Sequence, residues 1–314
     1  MPEPITIHFL GTGGTAPFKK RKMPCIAVKF LDKLIIMDIG EGCQYSLLTE
    51  KFHPKRSKVI ILISHFHADH TTGLPGFLNS LKLMNKTDPI IVIGPRGLST
   101  FLSHVEKAFQ LEDKPYELFL KEIQTEKTDT LIQAYEDKEI KILCFRTIHP
   151  NTSSLGFILM EKESHKTLAI RNREEFMKLS YNQKRRFLCQ DSSFVVIRPP
   201  RSIVYTGDTR PIYFLKDLVP TPPDLIIHDA TFIGDAHYEE ALKTGHSSIE
   251  EALDIASLLR ASTLALVHIS PRYELDTVIN AILKSIRGKI EKGLPEKFLP
   301  NIIIPCDGDI VTIR

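Results

Sequence analysis

Apolar positions along this chain come in short, β-branched blocks separated by polar turns. Ile5–Leu10, Cys25–Phe30 and Leu34–Asp38 read as strands joined by turns. Val59–Ser64 and Ile90–Ile93 are apolar runs too short for most helices, and read as buried strands. Ile140–Phe145, Leu155–Met160, Ser193–Ile197, Ser202–Thr206, Leu225–His228, Thr263–His268 and Ile302–Ile304 continue the strand series. Helical spacing appears over Leu74–Met84, over Ile249–Leu259 after a Ser-Ser-x-Glu start that resembles a capping box, and over Asp276–Ile290. The order is strands first, then strands mixed with helices, twice over. Two sheets packed face to face with helices outside satisfy it. No repeat or low-complexity linker divides the chain, so a single domain over residues 1–314 is expected.

Composition narrows the class. A chain of 314 residues buries enough apolar surface to fold without disulfides. Its 42% hydrophobic and 25% charged residues exclude a disordered tail protein, a collagen-like fibre and a coiled coil. No apolar run approaches the roughly 18 residues of a membrane span. The start, Met1-Pro2-Glu3-Pro4, lacks a basic stretch followed by an apolar one, so the cytoplasm is the expected location. The five cysteines are odd in number and never spaced Cys-x-x-Cys, which argues against a disulfide framework or a thiolate zinc finger. They read as buried, small apolar residues.

A net charge of +3 does not by itself imply a polyanionic partner, but its distribution is uneven. Between Ser164 and Cys189 lie Lys166, Arg171, Arg173, Lys178, Lys184, Arg185 and Arg186 against Glu174 and Glu175. This segment reads as a basic inserted arm at about 164–189, although a solvated helical face has the same composition.

The chemistry concentrates at Ser64-His65-Phe66-His67-Ala68-Asp69-His70, directly after an apolar strand. Residues two apart in an extended segment point the same way, so His65 and His67 can grip one ion. Asp69 and His70 follow a turn and can face a second ion. Imidazole nitrogen and carboxylate oxygen are ligands expected for zinc or a similar first-row ion. His149, Asp208 and His268 each fall just past the end of a strand, and Gly207 permits close backbone approach at Asp208. Together these residues make a set of five histidines and two aspartates, suited to two ions sharing one carboxylate.

The run His65-x-His67-x-Asp69-His70, followed in order by His149, Asp208 and His268, resembles the metallo-β-lactamase superfamily. The resemblance implies an α/β fold, an αβ/βα four-layer sandwich of two mixed β-sheets flanked by helices, with the metals at one edge. It also implies that Asp38 orients metal ligands without binding directly, where a turn cap is the plainer reading. Within that superfamily, Phe9-Leu10-Gly11-Thr12-Gly13-Gly14-Thr15-Ala16-Pro17 is similar to the opening of the ribonuclease Z family. Pro17-Phe18-Lys19-Lys20-Arg21-Lys22 resembles that family's Pro-x-Lys-x-Arg-Asn loop, with Lys22 where Asn is expected. His70-Thr71-Thr72-Gly73-Leu74-Pro75-Gly76-Phe77-Leu78 matches the family's helix start after the metal motif. His228-Asp229-Ala230-Thr231 and His246-Ser247-Ser248 resemble its His-Glu-Ala-Thr and His-Ser-Thr motifs, with Asp229 for Glu and Ser248 for Thr.

The implied activity is zinc-dependent endoribonucleolytic removal of the 3′ trailer of precursor tRNA, leaving a 3′-hydroxyl on the tRNA. Two Zn²⁺ per subunit, with Mn²⁺ or Fe²⁺ as substitutes, clamp the phosphate and make a water deprotonatable near neutral pH. Asp69 accepts a proton from that water, and His246, oriented by Asp229, protonates the leaving oxygen. A plainer reading makes His246 a residue that opens the following helix. Lys19, Lys20, Arg21 and Lys22 suit phosphates beside the scissile bond, and Lys184, Arg185 and Arg186 suit the tRNA elbow. The arm lacks the Gly-Pro-rich tip common in the family. That departure keeps open a metal-dependent phosphodiesterase acting on small or cyclic phosphodiesters. The resemblance further implies a homodimer in which one copy's arm serves the other's site.

Overall fold

A computed structural model describes residues 3–14, 21–49, 52–124, 129–162, 165–168, 177–189, 195–234 and 237–314. The first half lays down strands β1 (Ile5–Gly11), β2 (Cys25–Phe30), β3 (Lys33–Met37), β4 (Lys58–Leu62), β5 (Ile90–Pro95) and β6 (Leu118–Ile123). The second lays down β7 (Ile132–Glu136), β8 (Ile140–Arg146), β9 (Leu155–Glu161), β10 (His165–Leu168), β11 (Val195–Arg198), β12 (Ser202–Tyr205), β13 (Leu225–Asp229), β14 (Thr263–Val267), β15 (Asn301–Ile303) and β16 (Ile310–Ile313). One sheet has the order β16-β1-β2-β3-β4-β5-β6, and the other β15-β14-β13-β12-β9-β8-β7. Each is mixed: β3 to β6 and β12 to β15 run parallel, and the remaining pairs are antiparallel.

Strand side chains alternate between two cores. Ile26, Val28, Ile35, Met37, Ile60 and Leu62 face the second sheet, where they meet Leu155, Phe157, Ile203, Tyr205 and Ile227. Cys25, Ala27, Leu34, Ile36, Val59 and Ile61 face outward onto the helices Leu74–Leu83 and Leu98–Ala108. Val204, Ile226, Leu264 and Leu266 likewise face the helices Ile249–Leu258 and Leu275–Glu291. Both faces of the central strands are therefore covered, which is why their sequences are almost continuously apolar. Helix, sheet, sheet and helix form the expected four layers. Ser248 caps the helix that follows it, accepting from Glu251 N at 3.2 Å while Glu251 Oε2 accepts from Ser248 N at 2.8 Å.

Two expectations need correction. Of the block read as the strand Ser193–Ile197, residues 193 and 194 lie outside the described residues; among those described, β11 pairs with β10 in a separate two-stranded ladder and with neither large sheet. That ladder brackets the helix Tyr181–Cys189. A short β-branched block carries no mark of the partner it will pair with. Cys306 is exposed, unlike Cys25, Cys43 and Cys144, because it sits in the turn before β16. Edge strands β6, β7 and β16 escape the apolar pattern because much of each faces solvent.

Candidate metal centre

The parallel strands of both sheets end at one rim, and the polar residues that follow them converge there. The rim is laced by backbone hydrogen bonds: Asp38 N donates to Leu62 O at 2.9 Å, Leu155 N to Ser64 O at 2.9 Å, and His268 N to Thr12 O at 3.2 Å. The last two cross between the halves of the sandwich. Asp38 and His268 hold left-handed backbone, φ 54° and 60°, uncommon for residues with a side chain. Gly207 (φ 59°) lies where a Cβ would fall 2.9 Å from Ser64 Cβ.

His65, His67 and His149 form one group of converging ligand atoms; Asp69, His70, Asp208 and His268 form a second, each within 4.8 Å across. Asp208 Oδ2 stands between the groups. It lies 3.2 Å from His70 Nε2, 3.3 Å from His268 Nε2 and 3.9 Å from His65 Nε2. Asp69 Oδ2 is 3.6 Å from both His70 Nε2 and His268 Nε2. His67 is exposed at the mouth, while His65 and His70 are fully buried.

Around these groups the protein sets the histidine tautomers. Asp38 Oδ2 accepts from His70 Nδ1 at 2.7 Å, Ser64 Oγ at 2.6 Å and Tyr205 OH at 2.6 Å. With its proton committed to Asp38, Ser64 Oγ accepts from His65 Nδ1 at 2.9 Å. Thr231 Oγ1 donates to Asp229 Oδ1 at 2.7 Å, so it accepts from His268 Nδ1 at 2.8 Å. His149 Nδ1 donates to Gly245 O at 3.1 Å. A Cβ at Gly245 would fall 1.9 Å from Pro150 Cδ, so only glycine fits there. In each case Nδ1 carries the proton and the Nε2 lone pair is left facing inward. Nε2 of His65, His70 and His268 is buried without any hydrogen bond. Orphaned buried acceptors beside shared carboxylates are costly unless a cation sits between them, and a nitrogen and oxygen donor set of this kind suits zinc or a similar ion.

The electrostatics point the same way. Burial depresses protonation of His65 and His149. At His70 burial also opposes the charge, but Asp208 and Asp38 outweigh it and raise the imidazole well above its ordinary range. Burial raises Asp208, yet His268 and His70 hold it well below the usual carboxylate range. These carboxylates favour positive charge among largely buried side chains.

Beside the cluster, His246 Nδ1 donates to Asp229 Oδ2 at 2.8 Å. Asp229 is fully buried and also accepts from Thr209 N at 3.0 Å, Thr231 N at 3.0 Å and Ser247 N at 3.4 Å. Burial disfavours protonation of His246, but Asp229 and its hydrogen bond, with Asp208, push it up to about 9. The helix cap is Ser248, so His246 is not itself capping. Arg210 Nη1 donates to His246 O at 2.6 Å and to Glu251 Oε2 at 3.0 Å, tying His246 to the capping box. A cleft of about 530 Å³ opens here, lined by His67, Asp69, His149, Asp208, Lys243 and His246 among others.

The basic positions fare unevenly. Lys19 and Lys20 lie outside the described residues. Arg21 donates to Thr12 Oγ1 at 2.7 Å and Pro305 O at 2.9 Å, and Lys22 Nζ to Ser46 Oγ at 2.7 Å. Both are thus turned onto the protein's own acceptors. Lys184 Nζ reaches Met177 O at 3.2 Å, Arg185 is exposed, and Arg186 lies on the same helix. Sequence reasoning missed Ser64, Tyr205, Thr209, Thr231, Arg210 and Lys243. Ser64 and Thr231 sit inside the recognised motifs and Thr209 and Arg210 directly follow Asp208, which was the available signal; Tyr205 and Lys243 carried none.

Comparison with known proteins bears on this geometry. The family model described as anti-Pycsar protein Apyc1 matches residues 5–200, and the beta-lactamase superfamily domain matches residues 176–269. Ribonuclease Z of Saccharolobus solfataricus is 34% identical, covering 99% of this chain and 100% of its own length. Ribonuclease Z of Sulfurisphaera tokodaii is 33% identical over 86% of this chain and 89% of its own. The crystal structure of the short form of human tRNase Z superposes with a TM-score of 0.71 at 22% identity, covering 98% of this chain and 99% of that one.

Proposed function

The chain belongs to the ribonuclease Z family, and over residues 5–200 also to the family of the anti-Pycsar protein Apyc1; from that premise we propose that it is a zinc-dependent endoribonuclease removing the 3′ trailer of precursor tRNA. The observation that carries the reading is His246, held by a buried carboxylate and lining the same cleft as Asp69, His149 and Asp208. Asp208, Asp229, His246 and His268 all lie beyond residue 200, so the Apyc1 match leaves the choice of substrate open.

His65, His67 and His149 would hold one cation, and Asp69, His70 and His268 the other, with Asp208 shared. A bound pair would supply Lewis acidity toward the phosphodiester and toward the attacking water. Asp69 takes the proton that the attacking water loses. The phosphorus–O3′ bond breaks, and His246 delivers a proton to the departing 3′ oxygen, leaving a 3′-hydroxyl on the tRNA and a 5′-phosphate on the trailer. Asp229 stays ionised and fixes the ring that donates. Lys243 stands at the cleft as a cation for a neighbouring phosphate. Lys19 and Lys20 serve phosphates beside the cut, and Lys184, Arg185 and Arg186 serve the body of the tRNA, whereas Arg21 and Lys22 are held on Thr12, Pro305 and Ser46. The reading expects a homodimer, and a cytoplasmic enzyme fits it; no helix among the described residues is long and apolar enough to cross a membrane.

Incubating the pure protein with a 3′-extended tRNA under Zn²⁺ or Mn²⁺, and mapping both product ends, tests the proposal. A cut after the discriminator base with a 3′-hydroxyl upstream is expected. Rapid turnover of bis(p-nitrophenyl) phosphate with the tRNA left intact would move the assignment to small phosphodiesters.

A further inference from the structure

Asp307 lies far in sequence from every motif above, yet its carboxylate joins two of them. Oδ1 accepts from Thr12 N at 2.9 Å and Thr12 Oγ1 at 2.8 Å. Oδ2 accepts from Lys22 N at 2.6 Å, at the exit of the basic loop. The carboxylate therefore bridges the Gly11–Gly14 turn and the end of the segment that carries Lys19 to Lys22. Both sides continue inward. Thr12 O accepts from His268 N at 3.2 Å, and a Cβ on Gly14 would come within 3.0 Å of the His268 ring. Thr12 Oγ1, whose proton goes to Asp307, accepts from Arg21 at 2.7 Å. Gly13 N donates to Lys22 O at 2.9 Å. Asp307 itself is anchored: Gly308 N donates to Phe9 O at 2.7 Å, and Phe9 N to Asp309 O at 3.0 Å, pinning its turn to β1.

We propose that Asp307 is a positioning residue: it locks Arg21 and Lys22 onto the same turn that supports His268, so that this edge of the site meets the RNA in register with the reacting centre. A carboxylate suits this role because it only accepts, and it offers separate oxygens to the two segments. Asparagine keeps one oxygen for Thr12 but sets an amide N–H₂ against the Lys22 N–H, so Asp307→Asn releases the loop while sparing the turn. The RNA arm of the test rests on the function proposed above; the protein arm does not.

The experiment uses full-length, zinc-loaded protein and two readouts. Limited trypsin digestion followed by mass spectrometry measures cleavage after Arg21 and Lys22. Steady-state kinetics measure KM and kcat on 3′-extended tRNA, kcat/KM on bis(p-nitrophenyl) phosphate, and bound zinc. In Asp307→Asn, tryptic cleavage at the loop and KM for tRNA should each rise about tenfold, the scale of one lost charge-assisted hydrogen bond. The tRNA kcat, diester turnover and zinc content should hold. Thr12→Val, which keeps the backbone bonds to Asp307 and His268, should move the same readouts in the same direction by less, and it decides the matter if Asp307→Asn fails to fold. Unchanged trypsin sensitivity overturns the proposal. So does a parallel fall in diester turnover and zinc, which marks a general structural role. If the wild-type protein leaves tRNA uncut, the functional reading fails, and the trypsin readout still decides whether Asp307 holds the loop.

Discussion

Replacing Asp229 with asparagine isolates the proposed proton donor. The carboxylate is fully buried and touches His246 Nδ1 at 2.8 Å, so the substitution keeps the size, removes the charge and turns an amide N–H₂ toward one set of the donors that Asp229 accepts from. Moving an imidazole from 6.5 to about 9 corresponds to about 3 kcal/mol in favour of the protonated ring. Without that charge, burial is opposed by Asp208 alone, and His246 should titrate near its ordinary value. Near pH 7.5 the protonated fraction then drops from nearly all to about a tenth, so protonation alone lowers tRNA cleavage about tenfold. Loss of ring alignment extends the deficit toward the roughly 10²–10⁴-fold worth of a positioned acid. The sign follows from the role: an acid must be protonated, so the wild-type rate falls as pH rises through about 9, and the variant's fall begins lower. The deficit should therefore shrink toward pH 6. Single-turnover cleavage of 3′-extended tRNA across pH 5.5–9.5, with zinc measured in parallel, reads this directly. A p-nitrophenolate leaving group needs no proton, so bis(p-nitrophenyl) phosphate turnover should barely change. A variant that retains zinc, keeps the wild-type descending limb and slows both substrates equally would refute the assignment of His246 as acid.

Asp208→Ala should lose both ions and all activity together, because its Oδ2 faces ligands of both groups; metal analysis retaining two equivalents would refute its shared role. Removing a cation at Lys243, or at Lys184 and Arg185, should weaken tRNA binding, lower the salt dependence by about one per charge and spare the small diester, as binding titrations at several salt concentrations would show. The Arg201–Glu161 pair is almost fully buried, with Arg201 Nη2 2.6 Å from Glu161 Oε1. Arg201→Met should cost about 3–5 kcal/mol by removing the two-pronged guanidinium partner of a buried carboxylate, whereas Arg201→Met with Glu161→Leu should recover most of it; urea denaturation gives both values.

Much of the candidate site was legible in the residue order. His65, His67, Asp69 and His70 announce themselves because ionisable residues packed this densely after an apolar strand have no inexpensive role in a core. Arg21 and Lys22 show the opposite case. Their charges suggested phosphates, while the fold points both at Thr12, Pro305 and Ser46. A side chain's partner depends on what the chain brings back to it from hundreds of residues away.

By itself the sequence determined the strand and helix alternation, the two-sheet layering and the identity of the clustered histidines and aspartates, because periodicity and local spacing are set by bonded geometry. Only the tertiary structure decided that Asp208 stands between two groups, that Ser64, Thr231 and Gly245 select the histidine tautomers, and that Asp307 meets Thr12 and Lys22. Those contacts join the ends of strands from two sheets. Hydrogen bonds between such ends depend on register and packing, which no local stretch of residues encodes.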